Sequence, residues 1–499
     1  MVKSVFDENG IKYELMRKLG EGGQGATYLT KDPGVLIKLS NQSEMYDEYI
    51  ELIDEIRSLP ITQDMHIACP VYVLIKQCGY VMQMMSDMHG IDELILDVME
   101  AESTVEKLDK YQSSGGLRRR LRLLLQLAGI METLRQRSLV YADLSPSNVF
   151  VSRDVSQSEV WLIDADNIRF STDVRSSFGT PEFWAPEVRN GECNSMYADI
   201  YSFSILAHLL LTGQKAFFGN VLFKGTRYDE DARQISEETE DDWGVDDSGE
   251  ELEDDWGVDD SGEEFEDSWD DEEDNGVYSM AEKGLIPWID DPDNRDNQNP
   301  DVFIRPYTID EGLFQCFNGT FCRKGRSEPL SRPTPKHWIK ALRNALNNVV
   351  ECSCGWTYYA SEPMCPRCEK VRPKCCMISI RTDVMEETEN GRKLLYSDKR
   401  DVLVVESGKS ACLNMSDIRP YADSYIPGKD RPAFDFTFSQ GVLDIENKAG
   451  LPSVIIDGGE KYRFDSGRMA KSLLPGDFRL IVPSASGIDR IRTVTARVI

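Results

Sequence analysis

The sequence has no long apolar run. Its most apolar stretch, around Ile205 to Leu211, is too short to span a bilayer and contains His208. The first ten residues include Asp7 and Glu8 and offer neither the basic start nor the apolar stretch of a signal peptide. Both absences point to a cytoplasmic protein with no use for a membrane. Basic charge is scarce as well, with 56 Lys and Arg against 87 Asp and Glu and a formal net charge of -31. Such a chain is a poor candidate for binding nucleic acid, which depends on neutralising phosphates. The acidity is uneven: 23 acidic residues lie between Glu237 and Asp274, where Lys, Arg and His are absent, and the rest of the chain is close to -8.

Cysteine is not scarce. Of twelve cysteines, four cluster at metal-ligand spacing and the others are scattered, which fits reduced thiols plus one metal site better than a secreted disulfide framework. A length of 499 residues predicts two or three domains, and 40% apolar residues are enough to build their cores.

From Ile11 to about Asn348 the pattern reads as strands first and then mostly helices. Glu44 to Leu59 places Met45, Tyr49, Leu52, Ile53 and Ile56 on one helix face. Leu117 to Arg137 is a second amphipathic helix, and Tyr197 to Leu211 a third, apolar all round and so buried. Between about 236 and 276 an acidic unit, EDDWGVDDSGEE, repeats with a period of 13 that brings Trp243, Trp256 and Trp269 into register. With little apolar surface to offset chain entropy and with charges that repel, this stretch is expected to be a disordered insertion. From about 377 to 499 short β-type runs such as DVLVVE, FDFTF and SVIID alternate with Gly, Pro, Asn and Asp turns, the pattern of a β-sandwich or small barrel.

The chemistry-bearing residues are ordered along the chain. GEGGQG gives Gly20, Gly22 and Gly25 in G-x-G-x-x-G spacing, where glycine lets backbone N–H groups approach phosphates. TYLT and then VLIK follow, two strands and no long helix, which points away from a dinucleotide turn and towards a kinase loop. Lys38 stands where a kinase needs a lysine for the α- and β-phosphates, and Glu48, nearest the apolar face of the next helix, is its expected partner. YADLSPSNVFV and WLIDADN supply Asp143 to accept a hydroxyl proton, Asn148 for a metal, and Asp164 at a strand end for Mg²⁺. GTPEFWAPE and YADIYSFSILAHLLLTG come next in order.

This ordered set resembles a eukaryotic-type protein kinase domain over about residues 11–348, an α+β bilobal fold with an N-lobe of about 11–85 and a C-lobe of about 86–348. The resemblance implies that Gly20, Gly22 and Gly25 cover the phosphates of ATP, that Lys38 orients them, that Asp143 is the base and that Asn148 and Asp164 hold Mg²⁺. It implies a hinge at Met82, Gln83 and Met84 that binds adenine, with Met82 as gatekeeper. Glu187 of the A-P-E motif would pair with Arg332, and Asp199 would anchor the catalytic loop. Some positions depart from the family pattern. Tyr141 and Ala142 replace His-Arg, Ser145 replaces a lysine near the γ-phosphate, and Asp164-Ala165-Asp166 replaces D-F-G. Leu36 and Thr27 stand in place of the usual alanine and valine.

After the lobe, Cys352, Cys354, Cys365 and Cys368 form two short thiolate pairs ten residues apart, which suits a structural Zn²⁺ ribbon over residues 351–376, with Cys375 or Cys376 as substitutes and a redox pair as the alternative. The kinase motifs with GLIPWIDDP, RPTPKHW and the ribbon resemble the bacterial kinases of tellurium-resistance gene clusters. That resemblance implies a PP2C-type phosphatase and a von Willebrand A-domain protein as partners. The last domain shows a fainter likeness to forkhead-associated β-sandwiches in GVLDIENKAG, beside a plain structural reading. The expected activity is transfer of the ATP γ-phosphate to Ser or Thr of a protein partner and of the chain itself. The alternative is a nucleotide-binding pseudokinase that assembles partners.

Overall fold

The computed structural model describes residues 4–22, 25–41, 46–174, 177, 179–221, 280–281, 283–299, 303–388, 391–418, 431–457, 459–472, 478–482 and 490–499. The expected acidic insertion at 236–276 lies outside them.

Six strands open the chain as one antiparallel sheet: β1 (Ser4–Phe6), β2 (Lys12–Gly22), β3 (Gly25–Thr30), β4 (Val35–Ser40), β5 (Tyr72–Val73) and β6 (Gly79–Gln83), in the order β1-β2-β3-β4-β6-β5. The lobe begins before residue 11, because Val5 joins Tyr13, Ile37, Leu74 and Val81 in one buried cluster. Register then decides what faces the cleft. Lys38 lies opposite Thr27 on one side and Tyr80 on the other, and Leu36 lies opposite Met82. Directly opposed residues share a face, so these five side chains form one surface. Between β4 and β5 runs α1 (Tyr46–Ser58), which buries Tyr49, Ile53 and Ile56 at helical spacing.

The C-lobe is helical, with α2 (Ile91–Met99), α3 (Thr104–Ser113), α4 (Gly116–Gln136), α5 (Pro186–Arg189) and α6 (Met196–Thr212), then α7 (Arg305–Thr308), α8 (Glu311–Phe321), α9 (Arg323–Ser327) and α10 (Pro335–Asn347). Short strands β7 (Met88–Gly90), β8 (Leu139–Val140), β9 (Val149–Ser152), β10 (Val160–Leu162) and β11 (Arg169–Phe170) pair into two small sheets, and the loops after β8 and β10 carry the acidic motifs. Helix α6 is capped at both ends. Ser195 accepts from Tyr197 N and Ala198 N, and Gly213 closes the helix at φ 66, a left-handed conformation that glycine adopts without strain. The described residues between 216 and 301 belong to a compact unit of their own. Within it Asn297 donates to Phe217 O and Pro287 O, both at 2.8 Å, and so ties the two sides of the unit together.

Two short strands follow, β12 (Val349–Glu351) and β13 (Thr357–Tyr359), and then two antiparallel sheets. The six-stranded one runs β15-β14-β23-β22-β19-β20, from β14 (Cys375–Thr388), β15 (Gly391–Glu406), β19 (Val454–Asp457), β20 (Glu460–Arg463), β22 (Phe478–Val482) and β23 (Arg490–Val498). The four-stranded one runs β16-β17-β18-β21, from β16 (Ser410–Asn414), β17 (Pro432–Ser439), β18 (Val442–Asn447) and β21 (Gly467–Ser472). Alternation in FDFTF sends Phe434, Phe436 and Phe438 into a core shared with Ile378, Ile380 and Val405 of the other sheet. Each such phenylalanine is worth about 1.5–3 kcal/mol, so this core carries the domain. The C-lobe and the segments that follow it are joined. Arg118 of α4 reaches Glu351 at 3.0 Å, Val349 O at 3.1 Å and Glu406 at 3.2 Å, linking the C-lobe, β12 and the sheet that follows.

Candidate active site

The loop after β8 is held from below by Asp199 of α6, whose carboxylate accepts Tyr141 N at 2.8 Å and Ala142 N at 2.9 Å. Burial pushes that carboxyl up to about 7, while the two N–H donors favour its charged form. Ala142 takes φ 71, a left-handed conformation costly for alanine, and the Asp199 clasp holds the turn that delivers Asp143. Asp143 Oδ1 accepts from both Thr180 N at 3.0 Å and Thr180 Oγ1 at 3.1 Å. Burial holds this carboxyl above the usual range, and the charge of Asp164 adds to the effect, while the Thr180 donors work against it. Asn148 Nδ2 donates to Asp143 O at 2.9 Å.

Asp164 follows β10 at φ 66, another costly backbone conformation at the end of a strand. Its Oδ1 lies 2.8 Å from Lys38 Nζ. Lys38 is 8% exposed; burial works against its charge, but Asp166 and Asp164 outweigh that and hold the ammonium above the ordinary lysine range. Over this lysine the β2–β3 hairpin sets Gly20 opposite Thr27 and Gly22 opposite Gly25. A Cβ on Gly25 would come within 2.1 Å of Leu39 O, so no other residue fits there. Met82 is buried beside Leu36, Gln83 is exposed, and Met84 N donates to Gly34 O at 2.8 Å. That donor of the expected hinge is therefore occupied by the chain itself.

Below the cleft, Glu187 and Arg332 meet in a two-pronged ion pair, Nη1 to Oε1 and Nη2 to Oε2 both at 2.7 Å. Arg332 also donates to Gly325 O and Tyr197 O, so every part of its fork is used. A buried pair of this form fastens the segment from Gly179 to Arg189 onto the C-lobe. Residues 13–254 match the protein kinase domain family. Over those residues the chain is similar to protein kinase domains. Similar proteins include "Serine/threonine-protein kinase pkn2" of Myxococcus xanthus, 28% identical over 222 residues, which are 42% of this chain and 25% of that protein. "Death-associated protein kinase 2" of Homo sapiens is 32% identical over 91 residues, 17% of this chain and 25% of its own length. "Serine/threonine-protein kinase 17A" of Oryctolagus cuniculus is 28% identical over 102 residues, 20% of this chain and 26% of its own. The chain thus spans about a quarter of the length of the curated relatives it matches.

One expected contact of the kinase domain is not made. Glu48 is exposed on α1, and the buried residue beside it is Tyr49. The helix turns its aromatic and aliphatic stripe inward, and a carboxylate at position 48 falls outside that stripe. Lys38 pairs instead with Asp164 and, at 2.7 Å, with Asp166. Sequence reasoning also gave no role to Thr180, although it stands inside GTPEF, or to Tyr80, whose place opposite Lys38 depends on strand register. Ser145, in the position of the missing lysine, is buried and lies 3.0 Å from the Ser147 hydroxyl.

The cysteines form a second site. The Sγ atoms of Cys352, Cys354, Cys365 and Cys368 lie within 4.8 Å of one another, with Cys352–Cys368 at 3.5 Å and Cys354–Cys365 at 3.8 Å. Four sulfurs on a tetrahedral zinc at about 2.3 Å stand about 3.8 Å apart, so these residues fit the metal. Two tight turns present them, Gly355 N to Cys352 O and Glu369 N to Cys365 O. Cys375 and Cys376 belong to β14 and lie outside the cluster. Among the described residues no helix is long and apolar enough to cross a membrane.

Proposed function

We propose that this chain is a serine/threonine protein kinase that transfers the γ-phosphoryl group of Mg-ATP to hydroxyls of a protein partner and of itself. The observation that carries the reading is the clasp on Asp143: Thr180 holds Oδ1 with two donors and so fixes the carboxylate that would meet an acceptor hydroxyl. The acceptor oxygen bonds to the γ-phosphorus as its proton passes towards Asp143, and the bond from phosphorus to the ADP oxygen breaks. Lys38 aligns the α- and β-phosphates from the sheet face it shares with Leu36 and Met82. Asn148 and Asp164 would hold Mg²⁺, which neutralises phosphate charge when bound. Asp143→Asn keeps ATP binding and lowers transfer by about a hundredfold or more, as loss of a positioned base does. A wild-type protein that binds ATP, transfers nothing to itself or to any partner and is unchanged by Asp143→Asn would instead support the pseudokinase reading.

We assign a structural zinc to the four thiolates, supported by their mutual distances. Purified protein contains about one zinc per chain, and Cys365→Ser loses it with a fall in melting temperature while nucleotide binding persists. Protein made without chelator and free of zinc would remove the metal from this account. The kinase motifs followed directly by the four cysteines support the narrower likeness to the tellurium-associated kinases. On that likeness alone rest a PP2C-type phosphatase and a von Willebrand A-domain protein as partners.

A further inference from the structure

Lys38 has two anionic neighbours, and they are not equivalent. Asp164 Oδ1, at 2.8 Å, belongs to the carboxylate assigned to the metal. Asp166 Oδ2, at 2.7 Å, belongs to a side chain whose other oxygen is also committed, since Tyr80 OH donates to Asp166 Oδ1 at 2.8 Å. The three groups form a line. Tyr80 of β6 stands opposite Lys38 of β4, and Asp166 comes up from the loop after β10 to bridge the two. Both ends of the bridge are well covered, Lys38 and Asp166 having side chains 10% and 13% exposed. Helix α1, where the family pattern places the lysine's partner, offers no carboxylate here. Tyr49 faces this cluster closely enough to feel the charge of Asp166 and Asp164, its hydroxyl has no hydrogen-bond partner, and Glu48 is exposed.

We propose that Asp166, held by Tyr80, is the positioning residue for Lys38 and replaces a helix glutamate in this kinase domain. An ammonium on a flexible four-carbon stem needs a fixed counter-ion to stay aimed at phosphates. Once Asp164 is committed to a cation, Asp166 is the carboxylate that remains against the lysine. Its two oxygens are spent on Lys38 and Tyr80, which suits a holding role and not that of a metal ligand. The small residue between the two aspartates, Ala165, is fully buried and lets the loop turn both carboxylates towards the same ammonium. The contact also joins the two lobes directly, because Tyr80 and Lys38 lie in the upper sheet and Asp166 in the lower lobe. Alignment of the lysine then bypasses α1.

This inference rests on the kinase reading, and its test separates the two. In the full chain, binding of a fluorescent ATP analogue with Mg²⁺ and steady-state phosphoryl transfer are measured for Asp166→Asn, Tyr80→Phe and Glu48→Gln. Asp166→Asn is expected to weaken nucleotide binding and raise the KM for ATP about tenfold, with the KM for the protein acceptor and the Mg²⁺ concentration dependence unchanged. Tyr80→Phe shifts the same quantities a few-fold, and Glu48→Gln shifts neither. Combined with Lys38→Met, Asp166→Asn adds almost nothing further, because the two residues act as a unit. Wild-type nucleotide affinity in Asp166→Asn, an equal loss in Glu48→Gln, or a raised Mg²⁺ requirement in Asp166→Asn would each overturn the proposal. If the wild type transfers no phosphate while Asp166→Asn still weakens nucleotide binding, the kinase reading fails and the anchoring of Lys38 by Asp166 stands.

Discussion

Glu187–Arg332 and Lys38–Asp166 are both long-range ion pairs, closing gaps of 145 and 128 residues, yet they are built for different ends. The first is sealed. Arg332 has no exposed side-chain surface, Glu187 has 9%, and the guanidinium also donates to Gly325 O and Tyr197 O. The second stands at the wall of a cleft, its lysine shared between two carboxylates and its aspartate shared with a tyrosine. A buried pair whose three guanidinium nitrogens are all engaged within the protein is a fastening. A pair whose cation is proposed to face the phosphates of ATP is an aiming device. On the proposed reading, the lower lobe holds a fastening and the upper lobe an aiming device supplied by the loop after β10.

That contrast breaks or sharpens on stability measurements. Arg332→Met removes the cation and leaves Glu187 buried without a partner, which costs about 3–5 kcal/mol. Chemical denaturation should show a loss of that size, with the midpoint falling and its slope unchanged. Asp166→Asn should scarcely move the midpoint, because Lys38 keeps Asp164 and Tyr80 keeps an acceptor. If Asp166→Asn costs as much stability as Arg332→Met, the upper pair is also a fastening and the distinction is lost.

The two pairs also show what a sequence discloses. Glu187 and Arg332 were legible because each lies in a motif with a fixed place in the fold, A-P-E and SRPTPKHW, and a motif fixes backbone position. The clasp of Asp199 on the loop after β8 is legible for the same reason, and the ends of α1, α4 and α6 fall within about two residues of their periodicity. The partner of Lys38 was not, because it depends on which residue of α1 turns inward and on the register of β4 against β6. Helical periodicity marks Tyr49 as buried, whereas the expected carboxylate partner is its neighbour Glu48. In the sequence Asp166 stands out only as a departure from the D-F-G pattern, two residues from Asp164. The joining of the C-lobe to the domains after it was illegible too, since Arg118 reaches Glu351 and Glu406 across separations that no local pattern encodes.

A smaller effect probes the same lower lobe from the opposite side, by asking what happens when charge is forced into it. His208 of α6 is fully buried, packs edge-on against Phe317 at 5.4 Å, and places Nδ1 2.8 Å from Gln214 O. With Nδ1 as the donor the ring is neutral, and burial, aided by the nearby charge of Arg305, lowers its pKa to about 3. In the unfolded chain the same imidazole titrates near 6.5. Below that value the unfolded state takes up a proton that the folded state refuses, so the stability present above pH 6.5 drains away as pH falls towards 3. At pH 5 the loss from this one group is about 2 kcal/mol. His208→Gln is expected to be less stable than the wild type at pH 7, through lost packing, but to lose less between pH 7 and pH 5. The other titrating groups, the four thiolates included, are common to both proteins, so the difference in slope reports His208 alone. Parallel pH profiles for the two proteins would mean that the folded lobe admits the protonated ring.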